Sequence, residues 1–228
     1  MMNHSELKVI NKSDISLGGF AGIVETRMVM SPNVWPEAGG NPQINHGLGD
    51  FIYLANGYFK PNEGVPIHPH RDIDIVSLML SGTIGHKGTL GDGTVIQSPG
   101  VQVQRAGTGM EHSEFNVTDV NADIIQMWFL PPEQGLTPDY KDYKLSTQKM
   151  TTVLGGDGND TFDSNMVCQV GFVGPNEQVV CDVPFIALVT QGQARANMVE
   201  VREGDLIQGD ALELSSEQGI GLVLIYSN

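Results

Sequence analysis

Residues 68–93 of the chain are HPHRDIDIVSLMLSGTIGHKGTLGDG, and residues 101–116 are VQVQRAGTGMEHSEFN. Both stretches join short runs of β-branched and other apolar residues to glycine-containing turns, which is typical of short strands linked by tight turns. Each stretch also holds two potential metal ligands one residue apart: His68 and His70 in the first, His112 and Glu114 in the second. The two stretches therefore predict β-structure that carries a polar site.

The same pattern extends over the rest of the 228 residues, which include 28 glycines and 12 prolines. The predicted strands are Gly22–Met30, Phe51–Leu54, Asp74–Leu80, Thr94–Gln97, Gln102–Arg105, Ile124–Leu130, Val167–Phe172, Phe185–Thr190, Ala194–Val201 and Gly221–Tyr226. Few segments show helical spacing of their apolar residues. Many short strands at regular turn spacing predict an all-β fold of the sandwich or barrel type.

The chain is predicted to have two domains joined by a linker. Residues 1–135 form the first barrel, 136–160 are rich in Pro, Gly, Asp and Thr and are interpreted as a linker region, and 161–228 form the second barrel. A weak internal repeat supports two barrels in tandem: Ser81-Gly82 ends the strand VSLML, and Gln191-Gly192 is predicted to end the strand FIALV.

The composition excludes several functions. A net charge of −15, with only 12 Lys and Arg and no basic run, disfavours direct binding to nucleic acid or to an anionic membrane surface. The N-terminal residues lack the apolar run of a signal peptide, and no window has the ~20 apolar residues of a membrane-spanning helix. We therefore expect a cytoplasmic protein.

The chain has two cysteines, Cys168 and Cys181, which are too few for a disulfide framework and match no zinc-binding spacing. In a cytoplasmic protein we expect both to be reduced and buried. The sequence leaves open that they pair if their strands are neighbours.

Strand geometry predicts one metal site from the two ligand pairs. Residues i and i+2 of a strand point to the same face, so His68 and His70 share one direction, and His112 and Glu114 share another. Two facing strands would bring three imidazoles and one carboxylate to a single ion. The prediction depends on the presence of both pairs, because a second pair that contains a third histidine rarely arises by chance in a chain with only six histidines. Residues 113–228 contain no histidine, so the second barrel is predicted to lack such a site.

The two stretches resemble those of a known family. The spacing of Gly64, His68, His70, Asp74 and Gly82 resembles the first cupin motif. The stretch 68–93, followed by 101–116 and by IIQMWFLPPEQG at 124–135, is similar to the N-terminal signature of pirins. The resemblance is strong over about residues 48–135 and only general elsewhere. It implies a bicupin, that is, two tandem cupin-type β-barrels.

In pirins the metal ligands are the histidines of a His-Pro-His motif and the His and Glu of a His-Ser-Glu motif. The resemblance assigns those roles to His68, His70, His112 and Glu114. It implies one divalent transition metal, with Fe(II) as first choice and Mn, Co, Ni, Cu or Zn as alternatives. It also implies a quercetin 2,3-dioxygenase-like activity, in which Glu114 acts as the catalytic base towards a flavonol-like small aromatic substrate.

The sequence also allows predictions for residues around the site. His86 is interpreted as a loop or rim residue, in a segment that departs from the pirin pattern His-Arg-Asp-Ser, and His46 as a solvated loop residue. Asp74 is interpreted as a hydrogen-bond partner of a ligand rather than as a ligand, a role that a glutamine could also fill. The apolar candidates for lining the pocket, of unassigned orientation, are Ile52, Phe59, Met127 and Phe129.

Two other functions stay open at this point. The chain could be a metal- or redox-responsive regulatory protein that acts through a protein partner, as some pirins are described, or a metal-binding stress protein with neither role. A monomer is expected, because the second barrel would already cover the first.

Overall fold

The structure is a computed structural model that describes residues 6–146, 149–158 and 160–228; His4 lies outside them. Its helices are two short 3-10 turns, Lys12–Asp14 and Pro36–Gly40. The strands are β1 Lys8–Asn11, β2 Gly18–Phe20, β3 Ile23–Met30, β4 Phe51–Phe59, β5 Gly64–His70, β6 Asp74–Met79, β7 Thr83–Gly88, β8 Val95–Gln97, β9 Gly100–Arg105, β10 Met110–Asn116, β11 Ala122–Phe129, β12 Asp139–Lys144, β13 Met150–Leu154, β14 Met166–Val173, β15 Gln178–Cys181, β16 Phe185–Ala196, β17 Val199–Arg202, β18 Asp205–Gly209, β19 Leu212–Ser215 and β20 Ile220–Ser227.

The described residues form two compact units. The N-terminal unit comprises 15–46 and 50–144, and the C-terminal unit comprises the described residues of 1–14, 47–49 and 145–228. Every pairing between the strands is antiparallel. The predicted fold class is thus confirmed: the protein is all-β, with two tandem cupin-type barrels.

The N-terminal unit has two sheets. One runs β12-β9-β6-β11-β4-β3-β2, and the other runs β5-β10-β7-β8. Apolar side chains of both sheets, such as Met79 and Ile124 from the first and Ile84 and Ile96 from the second, pack into one buried cluster. Burial of this cluster holds the two sheets face to face, since each large side chain removed from water contributes about 1.5–3 kcal/mol.

The C-terminal unit is built around one branched sheet with the path β1-β18-β16-β20-β14-β13. Strands β17 and β19 pair with β16, and β15 pairs with β19. Its core is rich in aliphatic residues, among them Val189, Ile207, Leu222 and Leu224. Cys168 and Cys181 are both buried and unpaired, in agreement with the expectation that they are free thiols.

The observed units differ from the predicted boundaries at two places. The segment 136–160, which was interpreted as a linker, contains β12 and β13, and β12 pairs with β9 of the N-terminal unit. Residues 8–11, assigned by the sequence to the first barrel, pair with β18 of the C-terminal unit. Polar strands such as DYKDYK at 139–144 are edge strands, and their lack of an apolar run hid them in the sequence.

The second half of the chain corrects two turn predictions. Gln191-Gly192 does not end a strand, because β16 continues through it to Ala196 with an irregular register between Val189 and Gln191. The predicted strand Ala194–Val201 is instead a hairpin that turns at Asn197 and Met198, both at positive φ. The proposed internal repeat therefore loses its second member.

No helix among the described residues has the length and apolar character needed to cross a membrane.

Candidate metal centre

Three neighbouring strands of the four-stranded sheet carry the candidate ligands and one further histidine. His68 and His70 lie on β5, His112 and Glu114 on β10, and His86 on β7. His112 lies opposite His68 in the register of β10 with β5, and Glu114 lies opposite His86 in the register of β10 with β7. The two ligand pairs therefore come from neighbouring strands of one sheet and not from facing strands.

The three imidazoles converge on one point. The Nε2 atom of His112 lies 3.0 Å from Nε2 of His68 and 3.1 Å from Nε2 of His70. Two imidazole nitrogens bound about 2.1 Å from one ion at right angles to each other are about 3.0 Å apart. The observed spacing therefore fits adjacent ligand positions around a single metal ion. These three residues also form a group in which all ligand atoms lie within 4.8 Å of one another.

The protonation of His68 suits this role. Its Nδ1 lies 2.8 Å from the carbonyl oxygen of Pro66, and because a carbonyl can only accept, Nδ1 carries the proton and donates it. The Nε2 lone pair of His68 is then directed at the other two rings. A backbone hydrogen bond of this kind is a common way of orienting a metal-binding histidine.

Burial keeps the other two imidazoles neutral. Desolvation, followed by the effect of the neighbouring imidazoles, lowers the pKa of His112 to about 2. Desolvation and then His68 lower the pKa of His70 to about 4. A neutral imidazole is the form that binds a metal, so these two side chains need not lose a proton on binding at neutral pH.

Glu114 is on the same face of β10 as His112, but its carboxylate is not part of the group within 4.8 Å. The register of β10 with β5 shifts between His112 and Glu114. Oε2 of Glu114 accepts a hydrogen bond of 2.7 Å from Nε2 of Gln126, whereas Oε1 is buried and makes no hydrogen bond. Burial raises the pKa of Glu114 to about 7, and the Gln126 hydrogen bond opposes that shift. An unused, buried carboxylate oxygen beside three imidazoles is a suitable fourth ligand.

Comparisons with known proteins find relatives over the region that contains this site. The Pirin family model matches residues 42–129, which include all four candidate ligands. Residues 42–129 are therefore similar to a pirin domain. Over 116 residues it is 33% identical to an Escherichia coli K12 protein named quercetin 2,3-dioxygenase, a match that covers 50% of each chain. The chain thus spans about half the length of the curated relatives it matches, and the resemblance to pirins found in the sequence is confirmed.

Solved structures extend the likeness in fold beyond the pirin domain. The nickel(II) complex of the bacterial pirin YhhW from Escherichia coli aligns with a TM-score of 0.83 at 20% identity, covering 97% of this chain and 99% of that one. A quercetin 2,3-dioxygenase from Acinetobacter baumannii aligns with a TM-score of 0.71 at 14% identity, covering 98% and 87%. At these identities the alignments show the fold.

The interpretation of His86 as a rim residue is wrong. His86 lies within strand β7 of the N-terminal unit and is buried, and its Nε2 is 3.1 Å from Nδ1 of His112 and 2.9 Å from the amide nitrogen of Gln104. Gln104 and Gln126 are the glutamines beside the site. Their signal in the sequence was a polar residue inside an otherwise apolar strand, since a buried polar group needs a partner.

Asp74 has a different partner from the predicted one. It is fully buried and pairs with Arg105, which donates to Oδ1 from Nε at 2.9 Å and to Oδ2 at 2.6 Å. Asp72 precedes strand β6 at a positive φ and accepts a hydrogen bond from the backbone of Gly135.

His46 is exposed, as predicted, and its Nε2 donates to the carbonyl oxygen of Ala38.

The aromatic residue beside the ligands is Trp128, which the sequence did not single out. Its ring lies edge-on to His70, with 5.5 Å between centroids, and it also packs against Tyr53 and Trp35. Of the apolar candidates, Met127 and Phe129 flank Trp128 on β11 and so point to the opposite face of the sheet.

An open groove of about 490 Å³ adjoins His70 in the N-terminal unit. Its lining is Pro69, His70, Arg71, Thr89, Gly109, Met110 and Glu111. This volume falls within the 300–1,000 Å³ that small-molecule sites occupy. The groove gives a planar ligand access to the edge of the histidine cluster.

Proposed function

We propose that the chain is a metal-dependent dioxygenase that cleaves flavonols such as quercetin at a mononuclear site of His68, His70, His112 and Glu114. The observation that carries the proposal is the convergence of three Nε2 atoms, with separations of 3.0 and 3.1 Å, beside a groove of suitable size. The names of the related Escherichia coli and Acinetobacter baumannii proteins support the choice of reaction.

The donor set supports a redox-active divalent ion. Three neutral imidazoles and one carboxylate form a borderline site that accepts Fe(II), Mn, Co, Ni, Cu or Zn, and Fe(II) is our first choice because zinc has no redox chemistry. When bound, the ion would hold the deprotonated flavonol and supply the one-electron chemistry that a reaction with dioxygen requires.

Glu114 is the proposed base. In the metal-free protein, burial raises the pKa of this carboxyl group to about 7. A buried carboxylate is a stronger base than an exposed one, and Glu114 is therefore the proposed acceptor of the proton of a flavonol hydroxyl. Gln126 holds Oε2 through its amide, so Oε1 is the oxygen that would bind the ion and that would accept the proton when it is not bound to the ion. Deprotonation makes the flavonol electron-rich enough to react with dioxygen.

The groove provides contacts for the rest of the substrate. Pro69 offers an exposed apolar surface, and Arg71 offers a cation that can pair with a phenolate oxygen at the other end of the molecule. Trp128 packs against His70 from within the unit and restricts the orientation of that imidazole.

The proposal is tested by loading the protein with Fe(II) without oxygen, adding quercetin and air, and following the loss of flavonol absorbance. We expect turnover in the wild type and in the control His46→Gln, and a loss of about 10²–10⁴-fold in Glu114→Gln, the range by which general-base catalysis contributes. Full turnover by Glu114→Gln would exclude Glu114 as the base. Absence of turnover with each of the six ions would refute the dioxygenase and leave the regulatory function.

A further inference from the structure

His86 is a buried histidine outside the proposed ligand set that contacts one of the ligands. Its ring centroid is 5.2 Å from that of His112, and its Nε2 lies 3.1 Å from Nδ1 of His112. Both residues are about 1% exposed, so their ring nitrogens are shielded from bulk water and depend on protein groups for hydrogen bonds.

The proton position on His86 follows from a backbone carbonyl. Nδ1 of His86 lies 3.2 Å from the carbonyl oxygen of Gly91, which can only accept, so Nδ1 carries the proton. The direction of that carbonyl is fixed, since it also accepts from the hydroxyl of Thr94 at 2.7 Å and from the Thr94 backbone at 3.1 Å. A neutral His86 therefore presents a lone pair at Nε2.

Two donors share that lone pair. The side-chain amide of Gln104 donates to it from 2.9 Å. The remaining neighbour, Nδ1 of His112, is placed to donate to the same lone pair, and this arrangement leaves the Nε2 lone pairs of His112 and His68 directed at the space that a metal ion would occupy. A neutral imidazole with its proton on Nδ1 has its own lone pair on Nε2, the atom that lies beside His68 and His70.

We propose that His86 is a positioning residue that holds His112 in the tautomer protonated at Nδ1 and so leaves Nε2 of His112 free to bind the metal. The chain of hydrogen bonds runs from the Gly91 carbonyl through His86 to His112. This proposal rests on the metal site of the proposed function, but it does not depend on the substrate or on catalysis.

Nuclear magnetic resonance of the metal-free protein tests it, with ¹⁵N-labelled histidines and long-range ¹H–¹⁵N correlation, which reports the tautomer of each ring. The signals of His112 are assigned from a His112→Gln variant. We expect a single Nδ1-protonated form of His112 in the wild type. His86→Phe keeps a buried ring but offers no acceptor, so the proton of His112 should move partly to Nε2.

A second readout is the dissociation constant for Ni(II) alone, measured with a competing chelator. Loss of an outer partner of a metal-binding histidine costs about 10–100-fold in affinity, and we expect that loss in His86→Phe. His86→Gln places an amide oxygen near the position of Nε2 and should restore most of the affinity. His46→Phe, at an exposed histidine of the same unit, should bind Ni(II) like the wild type.

Two results would overturn the proposal: a wild-type His112 protonated at Nε2, or a folded His86→Phe variant that binds Ni(II) as tightly as the wild type. The wild-type spectrum needs no substitution, so it decides the matter if His86→Phe does not fold. A protein that shows the expected tautomer and Ni(II) affinities but does not turn over quercetin would refute the dioxygenase and leave the role of His86 intact.

Discussion

The carboxyl group of Glu114 is the ionisable side chain whose burial has the clearest consequence for stability. Burial raises its pKa from 4.5 to about 7. Between these values the folded protein binds the proton more tightly than the unfolded chain does. The free energy of unfolding of the metal-free protein should therefore fall as the pH rises through this interval, by at most about 3 kcal/mol at 1.36 kcal/mol per pKa unit.

Glu114→Gln should remove this fall in the free energy of unfolding with pH, because an amide does not ionise. Urea unfolding of both metal-free proteins between pH 5 and pH 8 measures it: we expect the variant to gain stability relative to the wild type as the pH rises. His70 and His112, whose pKa values are lowered by burial, destabilise both proteins as the pH falls below 6.5, and their effect cancels in the difference. A difference independent of pH would contradict the burial of an ionised Glu114.

At the scale of single residues, the sequence predicted the histidine trio but not its surroundings. Alternation along a strand is a local property, so His68-x-His70 and His112-x-Glu114 could be placed on common faces without coordinates. Which side chains lie beneath them depends on register between strands far apart in the chain. Gln126 lies on β11 of the larger sheet and donates to Glu114 on β10 of the smaller sheet, and nothing in the local sequence specifies that contact.

The dependence on strand register also explains why the partner of Asp74 was not predicted. The sequence placed it near the metal because it follows the His-Pro-His motif, but the register of β6 with β9 sets it opposite Arg105. Desolvation raises the pKa of Asp74, and the hydrogen bonds and charge of Arg105 oppose that shift. The two strands are thereby joined at their ends by a buried, doubly hydrogen-bonded ion pair.

This ion pair between strands should dominate the response to substitution at Asp74. Asp74→Asn removes the negative charge from a pair in which Asp74 is 0% and Arg105 10% exposed, and breaking a buried pair in this way costs about 3–5 kcal/mol. Urea unfolding at pH 7 gives the value. The control is Glu200→Gln, which breaks an exposed pair with Arg195 and should cost less than about 1 kcal/mol. Equal costs for the two substitutions would show that the buried pair has no special role.

Elements were predicted well where apolar runs are long and poorly where turns are unusual. Strands β3, β6 and β11 follow runs of β-branched and large apolar residues and were placed nearly to their observed ends. The hairpin at Asn197 and Met198 was missed because its second residue adopts a positive φ, which methionine rarely does.

At the scale of the whole molecule, the candidate metal chemistry belongs to one unit. His68, His70, His112 and Glu114 all lie in residues 50–144, and the C-terminal residues 145–228 contain no histidine. The strands that hold the ligands, β5 and β10, are neighbours in one sheet, so an ion bound to them connects these two strands directly. Metal binding should therefore stabilise the strands of this unit more than those of the other unit.

Hydrogen exchange followed by mass spectrometry measures this asymmetry. With free Ni(II) at 100 times its dissociation constant, openings that disrupt the site become less favourable by about 2.7 kcal/mol, which slows exchange through them by about 100-fold. We expect this protection in peptides covering 64–70 and 110–116 and little change in peptides covering 185–196 and 220–227.

His112→Gln, which removes the central imidazole, should abolish the protection. Equal protection of both regions would mean that the two units open together. Protection that persists in His112→Gln would place the ion elsewhere, because His68, His70 and His112 are the one group of three potential ligands found among the described residues.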